Sequence, residues 1–368
     1  MRCSASFPAP DRAAVSAGLD RKRNAALLDD IEERTWQQRD TAHVSTETHR
    51  GRLHLTPDLF AIPFGLAGLA QAWSAVTQMA AAPDWAGNAL WITAALVWLI
   101  TLVCYLANVA AERRWRTELS DPTFGPFTAL IVILPMLLGV TLSAQERTAG
   151  EVVFGVGATA TVVVGAWLTG GWIATDSDIR RWHPGYFLPT VAGGLLAAEG
   201  SATLGLDTLA RALFGLGTIC WLVLGSILLQ RLFTVPILPS PLLPTIAIEL
   251  APPTVAGSAW FAINGGRVET VAAVLAGYAA LMALVQVRLI PLYRKAPFGP
   301  GYWAFSFSYA AAVTDGIHWL TAEHVPGAVA LAYTLVSLLT AGLALLAART
   351  VAGLARGTFL PRAAPAGP

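Results

Sequence analysis

Charged side chains are scarce in this 368-residue chain. Asp, Glu, Lys and Arg make up 13% of it, about half the share usual in soluble domains. Hydrophobic residues reach 55% and the mean hydropathy is +0.57. So much apolar surface needs lipid around it. The net charge of +1 offers no attraction to a polyanion, so we expect no nucleic-acid partner.

Motifs of enzymes and metal sites are missing as well. The three cysteines, Cys3, Cys104 and Cys220, are far apart and form no CxxC pair, so neither a disulfide framework nor a zinc site is indicated. The chain contains no HExxH, no GxSxG and no P-loop sequence. We therefore predict a protein that is not an enzyme, with no catalytic residue, no metal and no cofactor.

Long apolar runs recur between Leu59 and Ala348. Runs of about 20 residues are long enough to cross a bilayer as helices. The pattern predicts an all-α integral membrane protein of ten transmembrane helices, near 59–80, 87–111, 125–143, 150–175, 185–200, 205–230, 240–262, 268–290, 301–320 and 327–349.

The ends of the chain differ from its middle. Residues 1–56 are rich in charged and polar residues and lack the apolar core of a signal peptide, so we expect a partly disordered cytoplasmic tail. A transmembrane domain over 57–350 and a cytoplasmic tail over 351–368 complete the predicted organisation. Loops after even-numbered spans carry eight basic residues, against two or three after odd-numbered spans. The positive-inside rule then places both termini in the cytoplasm and the protein in the plasma membrane.

Proline is distributed unevenly among the predicted spans. Spans one, three, five and seven contain Pro63, Pro135, Pro189, and Pro244 with Pro252, whereas the even spans have no internal proline and span nine has none either. Proline kinks a helix, and broken helices are tolerated at membrane depth where protein or a water-filled cavity surrounds them. The alternation predicts five hairpins, with the kinked helices lining a central pore. Proline is frequent in membrane helices generally, and this plainer explanation stays open.

Four stretches in order resemble the tellurite-resistance/C4-dicarboxylate transporter family, which includes the slow anion channels of plant guard cells. They are Ile62-Pro63-Phe64-Gly65-Leu66-Ala67-Gly68, His183-Pro184, Leu250-Ala251-Pro252-Pro253 and Trp303-Ala304-Phe305-Ser306-Phe307. The resemblance implies five inner and five outer helices around a pore, a homotrimer, and transport of anions or dicarboxylates. It also implies that Phe307 is the pore gate.

Helix geometry bears on the two phenylalanines of the last stretch. Phe305 and Phe307 are two residues apart, so their side chains diverge by about 200° and only one can face the axis. Phe307 at the axis is the favoured arrangement, and Phe305 at the axis is the alternative. The other residues predicted to line the pore or kink its helices are Pro63, Phe64, Gly65, Pro135, Pro189, Pro244, Pro252 and Phe305.

Ionisable residues inside apolar spans are costly unless they face water or a partner. Glu249 in span seven is such a residue, and we expect either a proton-coupling group or a carboxyl bound by a neighbouring hydroxyl. Asp315 and His318 share one face of span nine and predict a polar pore mouth rather than a metal site. His183, ahead of Pro184, is expected to cap a turn.

Two functions fit these features. The favoured prediction is a channel or facilitator for small anions with a phenylalanine-gated pore. The alternative is a proton-coupled C4-dicarboxylate transporter of the malate type, with the same fold. The predicted partners are small inorganic anions or dicarboxylates, membrane lipid and two further copies of the chain.

Overall fold

The structure is a computed structural model that describes residues 55–80, 83–112, 115–176 and 178–360. The predicted tail over 1–56 lies almost wholly outside them, as do residues 361–368. Eleven α-helices occur in the described part of the chain: α1 Ala61–Ala80, α2 Asp84–Glu112, α3 Trp115–Ser120, α4 Leu130–Leu142, α5 Arg147–Ala174, α6 Gly193–Thr203, α7 Asp207–Thr234, α8 Ala251–Asn264, α9 Thr270–Tyr293, α10 Ala304–Ala322 and α11 Ala328–Ala355.

Eight helical segments in the described residues are long and apolar enough to cross a membrane. They comprise α1, α4 and α8 together with the turns that precede them, and α2, α5, α7, α9 and α11. The segments around α6 and α10, which the sequence also predicts as spans, fall short in length or apolar composition. The all-helical membrane prediction is thus confirmed at the level of eight capable helices.

Segments of 3₁₀ helix, which we call lead-in turns, precede five of the helices. The 3₁₀ segments Pro57–Phe60, Gly125–Ala129, Pro184–Phe187, Ser240–Leu250 and Pro300–Trp303 lead into α1, α4, α6, α8 and α10. Each carries proline at its first or second position, where the ring's fixed φ and missing N–H are best tolerated. Pro300 therefore extends the five-fold pattern to span nine, which lacks an internal proline.

The prolines inside the predicted odd spans have different local effects. Pro135 lies inside α4 and cannot donate to the carbonyl of Ile131 one turn back. Trp98 of α2 donates its indole N–H to that carbonyl at 3.1 Å. Pro189 lies in the π-helical turn Leu188–Ala192 that precedes α6. At Pro135 a neighbouring helix thus satisfies the backbone carbonyl that the proline frees.

The remaining prolines lie at or near helix starts. Pro63 lies in the first turn of α1, Pro244 within a 3₁₀ segment, and Pro252 in the first turn of α8. The prediction that even spans have no internal proline is wrong for α9, which contains Pro291. The predicted span ended at 290, whereas the helix continues to Tyr293.

The five helices with lead-in turns pack into a closed ring. In the ring α1 contacts α4, α4 contacts α6, α6 contacts α8, α8 contacts α10, and α10 returns to α1. The 3₁₀ lead-in turns contact one another in the same order. We call α1, α4, α6, α8 and α10 the inner helices.

Continuous helices surround the ring. Each inner helix packs against the long helix that follows it, so α2, α5, α7, α9 and α11 form an outer layer. In the most apolar 18-residue window, 61–83% of residues are buried for α1, α4 and α8 with their lead-in turns, but only 17–33% for the outer helices. The outer helices therefore present most of their apolar surface away from the protein.

Two local features concern the helix ends. The predicted domain boundary at 350 falls inside α11, which ends at Ala355, and Phe359 beyond it is buried near Phe298, with 5.9 Å between ring centroids. His183 caps the turn before α6 as predicted, because its Nδ1 accepts from the Gly185 N–H. Burial lowers the pKa of His183 to about 4, and Arg231 acts in the same direction, so the ring is neutral near pH 7.

Candidate functional site

A wide chamber opens between the carboxyl-terminal halves of the inner helices. Its volume is about 760 Å³, and exposed polar residues such as Gln78, Gln145 and Thr203 lie at its edge. Residues from α1, α4, α6, α8 and α10 all contribute to its wall. The chamber is therefore a solvent-accessible entrance to the middle of the ring.

A second cavity lies between the amino-terminal parts of the same helices and holds only about 30 Å³, room for about two water molecules. Its lining is almost entirely apolar, and again every inner helix or its lead-in turn contributes: Phe64, Phe127, Phe187, Leu188, Val191, Ala192, Leu195, Ile248, Ala251, Pro252, Val255, Trp303, Ala304, Phe307 and Ser308. The axis of the ring is thus wide and polar at one end and closed and apolar at the other.

Two stacked phenylalanines lie at the closed cavity. The rings of Phe64 on α1 and Phe307 on α10 have centroids 3.8 Å apart and an interplanar angle of 15°, and both side chains are buried. Close approach of the two helices makes this possible. A Cβ at Gly68 would lie 2.9 Å from Cδ2 of Phe307, and a Cβ at Gly65 would collide with Ser306.

Phe305 lies on the other side of α10. Its ring packs edge-on against Tyr293, with centroids 4.9 Å apart, and stacks on Tyr309 at 5.8 Å. It lines neither the chamber nor the closed cavity. Of the two phenylalanines, Phe307 is the one that lines the closed cavity.

The structure brings together only part of the predicted pore-lining set. Phe64, Pro252 and Phe307 line the closed cavity. Gly65 contacts α10 beside it. Absent from the lining of both cavities are the remaining predicted prolines, Pro63, Pro135, Pro189 and Pro244. Pro63, Pro189 and Pro244 lie in first turns or lead-in turns instead, and Pro135 lies inside α4.

Glu249 is buried in the turn before α8, only 4% exposed. Its Oε1 has no hydrogen-bond partner. Ile248 and Ala251 line the closed cavity and Glu249 does not. The carboxylate instead interacts electrostatically with Tyr278 and Tyr293 of α9. It therefore faces the outer layer rather than the axis.

Glu199 is a carboxylate that the sequence analysis missed. It lies on α6, lines the chamber and accepts a hydrogen bond of 2.8 Å from Nε2 of Gln71 on α1. Like Glu249, Glu199 is an ionisable residue inside an apolar span, here the predicted span 185–200. This signal is enough to identify Glu199 from the sequence.

Asp315 and His318, the predicted polar face of span nine, lie in two different environments. His318 lines the chamber, and its Nδ1 has no hydrogen-bond partner. Asp315 is buried against α8, where a Cβ at Gly257 would lie 2.3 Å from its Oδ1. No cluster of three or more metal-ligating side chains occurs in the residues that the structure describes.

Known proteins with similar sequences are membrane anion channels and a tellurite-resistance protein. The chain is 30% identical over 302 residues to the tellurite resistance protein TehA homolog of Haemophilus influenzae, covering 82% of this chain and 91% of that protein. It is 27% identical over 277 residues to the S-type anion channel SLAH2 of Arabidopsis thaliana, 73% of this chain and 51% of the relative. The guard cell S-type anion channel SLAC1 of the same plant is 28% identical over 165 residues, 45% of this chain and 28% of the relative.

A family-wide sequence profile covers most of the described part of the chain. The profile of the voltage-dependent anion channel family matches residues 54–351, the region that contains both cavities and every inner helix. The chain therefore belongs to the voltage-dependent anion channel family, whose members are channels and transporters rather than enzymes.

Proposed function

We propose that this protein is a channel or facilitator for small anions, and that the anions move along the axis of the ring of inner helices. In this proposal ten helices cross the membrane as five hairpins, with α6 and α10 as the two spans of lower apolar content. The chamber of about 760 Å³ is the entrance. The stacked pair of Phe64 and Phe307 is the gate.

The narrowing of the axis carries this proposal. The space between the inner helices falls from about 760 Å³ to about 30 Å³, and the narrow part is lined by aromatic and aliphatic side chains. An apolar constriction stops ions both by filling space and by excluding water. The structure is in this interpretation a closed channel, which opens when the ring of Phe307 moves.

The names of the relatives support small anions as the cargo. The plant relatives are named as anion channels, and the bacterial one is named for tellurite resistance, which fits small inorganic anions as the cargo.

We further propose the predicted membrane arrangement. The excess of basic residues in the loops after even spans supports an orientation with both termini in the cytoplasm and the chamber on the opposite side of the plasma membrane. The exposed apolar faces of the outer helices suit lipid and contact between copies, and the proposed assembly is a homotrimer.

The gate is tested by Phe307→Ala in a planar bilayer, with chloride as the probe ion. We expect conductance to rise strongly over the native protein, because the substitution removes the ring that fills the closed cavity. Phe305→Ala is the matched control: it removes packing against Tyr293 and Tyr309 and should leave conductance unchanged. A rise in Phe305→Ala alone would reverse the assignment. If neither variant conducts, the gated-pore proposal is wrong.

A proton-coupled dicarboxylate carrier is the second candidate. It is favoured by Glu249, a buried carboxyl group whose Oε1 has no hydrogen-bond partner and which could bind the coupled proton. Liposome uptake of malate under an imposed pH gradient distinguishes the two functions. A carrier would accumulate malate in response to the gradient without channel-sized currents, whereas a channel would conduct whether or not a pH gradient is present.

A further inference from the structure

In the described part of the chain, the lining of the chamber carries no permanently cationic side chain that would attract anions. Among the described residues that line it, none is lysine or arginine, and the one with a carboxylate is Glu199. Arg147 of α5 lies near the end of α6, but its guanidinium is bound to Glu151 and to the carbonyl of Leu204, and it does not line the chamber. An ionised Glu199 would repel anions that enter here.

The wall around Glu199 holds polar atoms that lack partners. Ser258 of α8 and Thr314 of α10 line the chamber, each about 3% exposed, and their hydroxyl oxygens have no hydrogen-bond partner in the structure. Buried polar atoms normally have a partner. Two such hydroxyls and the unpartnered Nδ1 of His318 mark the chamber as a site built to hold polar ligands or water.

The groups that surround Glu199 are specific to each helix. From α1, Gln71 donates to its Oε1. From α10, His318 lines the chamber and Asp315, behind the wall, interacts electrostatically with Glu199. Neither α4 nor α8 adds a titratable residue to the lining, and α5 and α7 add no residue at all. Among the described residues that line the chamber, Glu199 is therefore the one whose side chain presents negative charge to an anion when it is ionised.

We propose that Glu199 is a proton-binding filter that determines whether anions can enter the path from the chamber. When the carboxyl group is ionised it repels them, and when it is protonated its O–H donates a hydrogen bond to them together with Ser258 and Thr314. Anion flux then rises as the pH on the chamber side falls. This inference rests on the proposed anion path along the ring axis, and it adds a second point of control that is separate from the phenylalanine gate.

The experiment uses Phe307→Ala as the open background in a planar bilayer, with chloride as the probe because it does not titrate. The pH is varied on one side at a time, from about 8 to about 5, a range in which a buried carboxyl group can change its ionisation. We expect conductance to rise about tenfold as the chamber-side pH falls, the size of effect that one nearby charge produces. Adding Glu199→Gln should hold conductance at the high level at every pH.

Two further variants make the result specific. Glu323→Gln removes an exposed carboxylate just beyond α10 that does not line the chamber, and it should keep the full pH response. Gln71→Met removes the donor that stabilises the charged form of Glu199, so the rise should begin at a higher pH. It keeps the proposal testable if Glu199→Gln folds poorly.

The outcomes separate this proposal from the one on which it rests. A pH response that persists unchanged in Glu199→Gln, or that follows Glu323 instead, would overturn the filter while leaving the channel intact. Chloride conductance that is absent from Phe307→Ala at every pH would instead overturn the proposed channel.

Discussion

The helix α8, taken with its lead-in turn, and the helix α2 differ in how much of their surface is buried inside the protein. In the segment Ser240–Asn264, 83% of the most apolar window is buried, against 17% for Asp84–Ala111. The buried segment is nevertheless the less apolar of the two, and among the eight membrane-capable helices of the described chain it is the least apolar. In a soluble protein the relation would be reversed.

The difference follows from the different surroundings of the outer and the inner helices. In the proposed membrane arrangement the outer face of α2 contacts lipid, where any polar group is costly, and this fits the high hydropathy of the helix. The inner helices contact one another, the outer helices and the axial cavities. Small residues that allow close packing and hydroxyls that face the chamber can therefore replace large apolar side chains. Hydropathy alone identifies outer helices more readily than inner ones.

The largest contrast is expected between matched isoleucines of the two layers. Ile133 on α4 is fully buried, whereas Ile100 on α2 is 64% exposed. We expect Ile133→Ala to lower the free energy of unfolding by about 3 kcal/mol through the cavity that it leaves. Ile100→Ala should change it by less than about 0.5 kcal/mol. Denaturant unfolding of both variants in one detergent makes the comparison, and an equal loss would mean that the α2 face is covered by another copy of the chain.

Close packing inside the hairpins provides a second contrast. A Cβ at Gly139 of α4 would lie 2.4 Å from the backbone nitrogen of Phe154, whereas a Cβ at Gly155 of α5 would meet nothing within 4 Å. A side chain can relieve such a clash by changing its rotamer, but a backbone atom cannot. Gly139→Ala should therefore destabilise the protein by about 2 kcal/mol. Gly155→Ala should stabilise it by up to about 1 kcal/mol through reduced backbone entropy. Thermal unfolding measures both, and a harmless Gly139→Ala would contradict the observed hairpin contact.

The smallest effect concerns the hydrogen bond that joins the two layers at Pro135. Trp98→Phe keeps an aromatic ring but removes the donor to the Ile131 carbonyl, which should lower stability by about 1–2 kcal/mol. Trp167→Phe is the control, because Trp167 is 70% exposed on α5 and should be neutral. Should the two variants unfold alike, another group, such as water, satisfies the carbonyl in place of Trp98.

The proline pattern shows how far local sequence reasoning reaches. Proline constrains its own backbone and that of the preceding turn, so the difference between the proline-containing inner segments and the mostly continuous outer helices was predictable from one chain. The prediction was wrong where a boundary was misplaced by a few residues, as at Pro291 in α9. It was incomplete for span nine because only internal prolines were counted, whereas Pro300 precedes the helix.

The candidate site depended on contacts that local patterns do not contain. Glu199 and Gln71 are 128 residues apart, and nothing in the sequence around either residue indicates the hydrogen bond between them. Glu249 and Glu199 have the same local signature, a carboxyl group in an apolar span. Only the packing of their helices places Glu199 in the chamber and Glu249 toward α9.

The sequence by itself determined the membrane class, most of the helices, their alternation and the resemblance to an anion-channel family, because hydropathy and proline act within a single helix. Helix geometry also determined that only one of Phe305 and Phe307 could face the axis. The tertiary structure alone decided that Phe307 lines the closed cavity and Phe305 does not, because this depends on how α10 is rotated against α1. Gly65 and Gly68 permit the close contact between α1 and α10, and the ring of Phe64 stacks on the ring of Phe307.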